Sequence, residues 1–142
     1  MNATTVNTPL YVLLDGKLRI GPSLSAPLSG PEYTATYSFS DKQPYDLFCT
    51  HYKRALTPYP LVKGYLRSQI AESDDVVPLV VVDATGPDEA HLDAATMESV
   101  LEAMEQQASQ VSISHRLILD HESRTYRVEK VAGGFEMASV RS

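Results

Sequence analysis

The stretch Val76-Val77-Pro78-Leu79-Val80-Val81-Val82, running straight into Asp83-Ala84-Thr85-Gly86-Pro87-Asp88, decides the fold. Seven residues without a charge, five of them valine, are short for a helix and rich in β-branched side chains. That combination predicts a strand covered on both faces, because a half-exposed strand alternates with polar residues. Pro78 has no N–H for a ladder, so it belongs near the strand start or at a locally unpaired position. Gly86-Pro87-Asp88 ends the strand. From about Asp88 to Gln110, Ala90, Ala94, Met97, Leu101, Met104, Ala108 and Val111 recur at spacings of three and four. This periodicity predicts one long amphipathic helix, with Asp88 as its N-cap. Asp88, Glu89 and Asp93 then favour the positive end of the helix dipole. Glu98, Glu102 and Glu105 line the outer face, where no Lys relieves them.

Upstream, residues 1–8 are small and polar, the composition of a frayed terminus. Leu10–Leu14, Asp15-Gly16 and Lys17–Ile20 read as a β-hairpin, the Asp-Gly pair suiting a two-residue turn. Residues 21–32 form a long loop rich in Pro, Gly and Ser, with Leu24 and Leu28 holding it against the domain. Tyr33–Phe39 alternates cleanly, which predicts a half-buried strand antiparallel to the hairpin. Ser40 or Asp41 can cap a helix that tolerates Pro44 in its first turn. Tyr45, Phe48, Tyr52 and Ala55 or Leu56 form its buried side. Thr57-Pro58-Tyr59-Pro60 stops it, and a second helix follows to about Glu72 with Val62, Leu66 and Ile70 inward. The two make a helical hairpin whose solvent side carries Lys53, Arg54, Lys63 and Arg67.

Downstream, Val111, Ile113, His115, Leu117 and Leu119 share one face of a strand that turns at Asp120–Ser123. Tyr126–Val131 returns, and Phe135–Val140 completes a three-stranded meander. The fold class is α+β: a mostly antiparallel sheet of about six or seven strands, with two or three helices stacked on one face. At 142 residues the chain reads as a single domain.

Composition narrows the setting. No apolar run approaches the length of a membrane span, and the N-terminus lacks the basic and apolar regions of a signal peptide. One cysteine, Cys49, cannot form an internal disulfide, which points to the cytoplasm. The net charge of −6 is unevenly distributed. From Ser68 to His115 there are ten acidic residues and no Lys or Arg. That segregation bears on partners more than on fold.

The candidate sites divide by chemistry. Asp83, Thr85 and Asp88, at a strand end before a helix start, occupy a common place for a ligand. The bland alternative is that Asp83 closes a turn and Asp88 caps a helix. His51, His91, His115 and His121 lack the spacing of a metal site, and a single cysteine excludes a Cys-based one, so no metal or cofactor is expected. His115, inward among aliphatic residues, reads as a hydrogen-bonded core histidine. Cys49 and His51, two apart on a helix, point to different sides and do not pair.

Two functions fit these residues. The first is a small non-enzymatic protein-binding module, an inhibitor or decoy that presents an acidic helix to a basic protein partner that handles nucleic acid. Phage-type antidefence proteins share this charge and size, although no motif ties the chain to them. Glu98, Glu102, Glu105, Asp93 and Glu89 would make that surface. Lys53, Arg54, Lys63 and Arg67 would make a secondary one, able to meet the acidic helix of a second copy in a homodimer. Direct nucleic-acid binding by these few cations is disfavoured by the net negative field. The second is a small hydrolase or ligand-binding protein using the Asp83 loop.

Overall fold

Val76–Val82 is a strand with a paired neighbour on each side and apolar cover on each face. A computed structural model describes residues 5–15, 18–25, 31–51, 56–73, 75–86 and 89–131. In chain order the elements are β1 (Thr5–Asn7), β2 (Tyr11–Asp15), β3 (Leu18–Arg19), β4 (Glu32–Phe39), α1 (Lys42–Thr50), β5 (Thr57–Pro60), α2 (Lys63–Ala71), β6 (Val76–Val82), β7 (His91–Thr96), α3 (Met97–Glu105), β8 (Gln110–Ser112), β9 (His115–Asp120) and β10 (Thr125–Lys130). The main sheet runs β10-β9-β7-β6-β4-β2-β3, with β5 also paired to β2, and a small second sheet joins β1 to β8. Among the described strands every ladder is antiparallel except β4 with β6. The architecture is α+β. Pro78 lies opposite Thr34 of β4, just before β7 begins to pair at Leu79, so its missing N–H falls where β6 has one neighbour.

Strand alternation sorts the core into two clusters. Leu13, Tyr37, Phe39, Leu79, Val81, Leu92, Ala94 and Leu117 face Phe48 of α1. Val12, Val80, Val82 and Ala95 face Leu66 of α2 and Met97, Val100 and Ala103 of α3. The helices therefore cover both faces of the sheet rather than stacking on one. A strand apolar at every position requires this, since leaving either face wet would expose valine.

The long helix expected from Asp88 to Gln110 is a strand followed by a shorter helix. His91–Thr96 forms β7, wedged between β6 and β9. Leu92 and Ala94 point to one face and Ala95 to the other, a period of two that the spacing Ala90–Ala94–Met97 conceals. Ladder partners on both sides override the helix propensity of the alanines. The helix start is Thr96, whose Oγ1 accepts the Ser99 N–H at 3.1 Å. The helix ends in paired bonds from Ala108 N–H to Ala103 O and from Gln107 N–H to Met104 O, with Gln107 at φ 56°. That is a Schellman stop. Met97, Val100 and Ala103 are buried, while Leu101 and Met104 pack at the margin.

Three further expectations are corrected. Thr5–Asn7 is not frayed: it pairs with β8, and Val6 packs against the α2/α3 cluster. The strand expected across Val111–Leu119 is divided into β8 and β9, although its inward alternation holds throughout. The helical hairpin is interrupted, because Thr57–Pro60 pairs with β2 as β5 and sends α1 and α2 to opposite faces. Asp15 is not a turn residue as expected but pairs with Leu18 as the last residue of β2. Gly16, Tyr52, Ala55 and the third meander strand at Phe135–Val140 lie outside the described residues. Asp41 caps α1 as expected, Pro44 sits in its first turn, and β9 and β10 form a hairpin.

Both edges of the main sheet are finished. Leu61 N–H donates to Leu10 O at 2.9 Å, which turns the backbone of Tyr59 and Thr57 toward β2 and that of Pro58 and Pro60 outward. The outward positions of β5 thus have no N–H to offer another strand. At the other side, Tyr37 N–H donates to Ile20 O, while Ser25 N–H donates to Tyr126 O and Tyr126 N–H to Ser23 O. The segment therefore passes from β4 to the β10 edge, where Leu24 bridges Tyr126. Four residues reach about 14 Å at most, whereas four flat inter-strand spacings need about 19 Å. The sheet must curl around the α1-side cluster. The rings of Tyr33 on β4 and His115 on β9, 5.3 Å apart between centroids, meet across that curve.

Candidate functional site

The exposed side of α3 is the surface the charge pattern singles out. The Thr96 cap fixes the helix start, and Met97, Val100 and Ala103 fix its buried face. Glu98, Glu102 and Glu105 are left in solvent at spacings of four and three. Glu98 lies in the first turn, where the helix dipole favours an anion. Glu105 lies in the last turn, which contains no basic residue, so the dipole opposes its charge. Arg67 of α2 relieves it: Arg67 Nη2 donates to Glu105 Oε2 at 2.8 Å.

The other acids are placed elsewhere. Asp93 stands on β7 opposite Arg116 of β9, with 3.5 Å between its Oδ1 and the Arg116 Nε. Glu89 accepts from the Thr85 N–H at 2.8 Å and from the Thr85 hydroxyl at 3.0 Å. Its carbonyl accepts the Tyr126 hydroxyl at 2.6 Å. Neither acid belongs to the α3 face, because the helix begins after both. Lys63 opens α2 and is exposed, whereas Lys53 and Arg54 lie outside the described residues.

At the alternative site Asp83 is occupied by its own fold. At φ 57°, its N–H donates to Ser38 O, and its carboxylate accepts the Ser40 N–H at 2.8 Å and the Ser40 hydroxyl at 2.7 Å. It ties the end of β6 to the turn that starts α1. Thr85 turns to Glu89 instead, and Asp88 lies outside the described residues. Asp83 and Thr85 are thus engaged with different partners, Ser40 and Glu89. Among the described residues no group of three or more His, Cys, Asp or Glu side chains could hold a metal ion.

Cys49 and His51 do not form a nucleophile–base pair. Burial pushes the Cys49 thiol up, a hydrogen bond from Tyr45 opposing it, and His51 Nδ1 lies 3.0 Å from Leu47 O. His115 is a core residue. Its Nδ1 is 2.8 Å from the Ser114 hydroxyl, and burial, helped by the Lys130 charge opposite it on β10, holds its pKa below the usual imidazole value. The unfolded chain therefore binds this proton more readily than the folded one. Its contribution to stability is full above about pH 6.5 and is lost as pH falls through the lowered folded value. His115→Gln should flatten that part of the stability–pH curve measured by urea unfolding. An unchanged slope would assign the acid sensitivity to other groups.

One cluster carries no sequence signal. The guanidinium of Arg19 lies over the Tyr65 ring, with Cζ 3.7 Å from its centroid, and 5.6 Å from that of Tyr59. Arg19 of β3 meets Tyr59 of β5 and Tyr65 of α2, about forty residues on, and the pairing of β2 with both β3 and β5 brings the two segments to one edge. Compared with protein-family models, curated proteins and solved structures, the chain matches none. Among the described residues no helix is long and apolar enough to cross a membrane.

Proposed function

We propose that this protein is a small cytoplasmic binding module, an inhibitor or decoy, that presents the acidic face of α3 to a basic surface of a nucleic-acid-handling protein. The observation that carries this reading is the Arg67–Glu105 pair, in which the α3 face already receives a guanidinium. Glu102 and Glu98 repeat the acceptor along the same helix face, and neither has an ion-pair partner among the described residues. Their mutual repulsion is a small standing cost that a basic partner would remove. A homodimer in which α2 of one copy meets α3 of another would compete with the intrachain Arg67–Glu105 pair, which makes a foreign partner the better fit.

The test is the double variant Glu98→Gln/Glu102→Gln. It should fold and melt close to the parent temperature, since the repulsion removed between like charges four residues apart offsets the lost dipole interaction of Glu98. Captured from cell lysate at low salt, basic nucleic-acid-handling proteins should bind the parent and be depleted from the variant. With the captured partner purified, the association rate should fall about tenfold and lose much of its salt dependence, because exposed charge steers over about 8–10 Å. Equal capture by parent and variant would leave the glutamates as an ordinary solvated face.

A further inference from the structure

We propose that the α2-side rim of the β2–β5 edge is a second docking surface, built for an apolar segment of a partner protein that carries an acidic side chain. It uses different residues from the α3 face and does not rest on that reading. Leu10, Tyr59 and Val62 are 52%, 45% and 47% exposed, and the β2–β5 ladder gathers them at one edge. Leu10 and Val62 line an open groove of about 770 Å³ together with Leu61, Met104 and Ala108 and with polar residues that include Asp41 and Lys63. Contiguous apolar exposure of this kind marks an interaction site more often than chance packing.

Arg19 supplies the charge. Arg67, Arg116 and Arg127 each have a carboxylate partner, whereas Arg19 has two tyrosine rings and, among the described residues, no hydrogen bond or ion pair. Among the described residues its Nε is the one side-chain nitrogen both buried and without an acceptor, and the Nη atoms, not buried in this way, reach solvent. The rings hold the guanidinium in place before any ligand arrives, which spares much of the ordering entropy of binding. A pre-positioned fork matches a carboxylate bidentately, and a Tyr/Arg centre on the same edge as exposed Leu10 and Val62 has the composition of interface hot spots. The outward prolines of β5 exclude strand addition, so the occupant docks through side chains.

A random-peptide display library selected against the full chain tests this. Enriched peptides should combine clustered apolar residues with an Asp or Glu. Arg19→Gln should weaken their binding about tenfold or more, the cost of a lost charge-assisted hydrogen bond. Val62→Asp is the second variant. Val62 caps α2 without a side-chain bond, so an Asp there adds a cap and keeps the fold while adding a second carboxylate to a groove that already holds Asp41. It should abolish binding of the same peptides with no loss of melting temperature, and Glu98→Gln/Glu102→Gln should leave binding unchanged. Enrichment without acidic residues, or equal binding by parent and Arg19→Gln, would overturn the proposal. So would peptides that bind only by dissociating a dimer, since the occupant would then be a second copy.

Discussion

Gly21→Ala should destabilise the protein by about 3 kcal/mol or more, a loss at the upper end for overpacking because backbone must move. A Cβ on Gly21 would lie 1.8 Å from the carbonyl oxygen of Ala35 and 2.7 Å from its carbon. Those atoms belong to β4, so no side-chain rotation relieves the overlap. The segment from Ile20 to Ser25 would lift, and the bonds that Ser23 and Ser25 make with Tyr126 would go with it. Gly64→Ala is the control. Nothing stands within 4 Å of its added Cβ, and in α2 the change should stabilise by about 0.5–1 kcal/mol. Urea unfolding of both variants checks the contrast, and equal midpoints would mean that the 20–25 segment does not hold the sheet closed.

Val80→Asp should leave no folded protein at room temperature. Val80 is 1% exposed on the central strand, in the apolar α2/α3 cluster with Val12, Leu66, Met97 and Val100. A carboxylate at that position must either ionise without a partner or hold a proton far above its ordinary pKa, a penalty comparable with the whole stability of a small domain. Leu101→Asp behaves differently from what its place in the sequence pattern suggests. Leu101 packs only at the edge of the cluster, where an added carboxylate reaches water, so the variant should fold with a loss of about 1–2 kcal/mol. Circular dichroism melts separate these outcomes. A folded Val80→Asp would move the centre of the core elsewhere.

Where one periodicity excluded the others, the sequence was legible. The Val76–Val82 run is apolar at every position and Tyr33–Phe39 alternates without interruption, so both strands follow. The burial of β4 does not, because its end is buried on both faces and Ser38 on the polar side is 0% exposed, its hydroxyl donating to Val81 O. Ala90–Met97 was not legible, because Ala90, Ala94 and Met97 satisfy a helical period while Leu92 and Ala94 equally fit one face of a strand. What decides is the pair of neighbours β7 finds on β6 and β9, a tertiary fact. The capping arrangement Thr96-x-x-Ser99 is a local signal that marks the true helix start. Thr57–Pro60 misled in a similar way: its prolines do break a helix, and they also suit an outward-facing edge strand. Of the acidic surface, Glu98, Glu102 and Glu105 share a face because they lie within one helix. Glu89 and Asp93 leave it because the helix begins later. Arg67 on Glu105 and Arg19 between two tyrosines depend on contacts across the sheet, which no local pattern encodes.

Titration of the isotope-labelled protein with a short oligo-arginine peptide, followed by backbone amide shifts at low and moderate salt, tests the role of the α3 face most directly. The expected result is a set of shifts concentrated on Glu98–Glu105, saturable at low salt, weakened by added salt and absent in Glu98→Gln/Glu102→Gln. Shifts spread evenly over all the acidic residues, or centred on Glu89 and Asp93 rather than on α3, would contradict it.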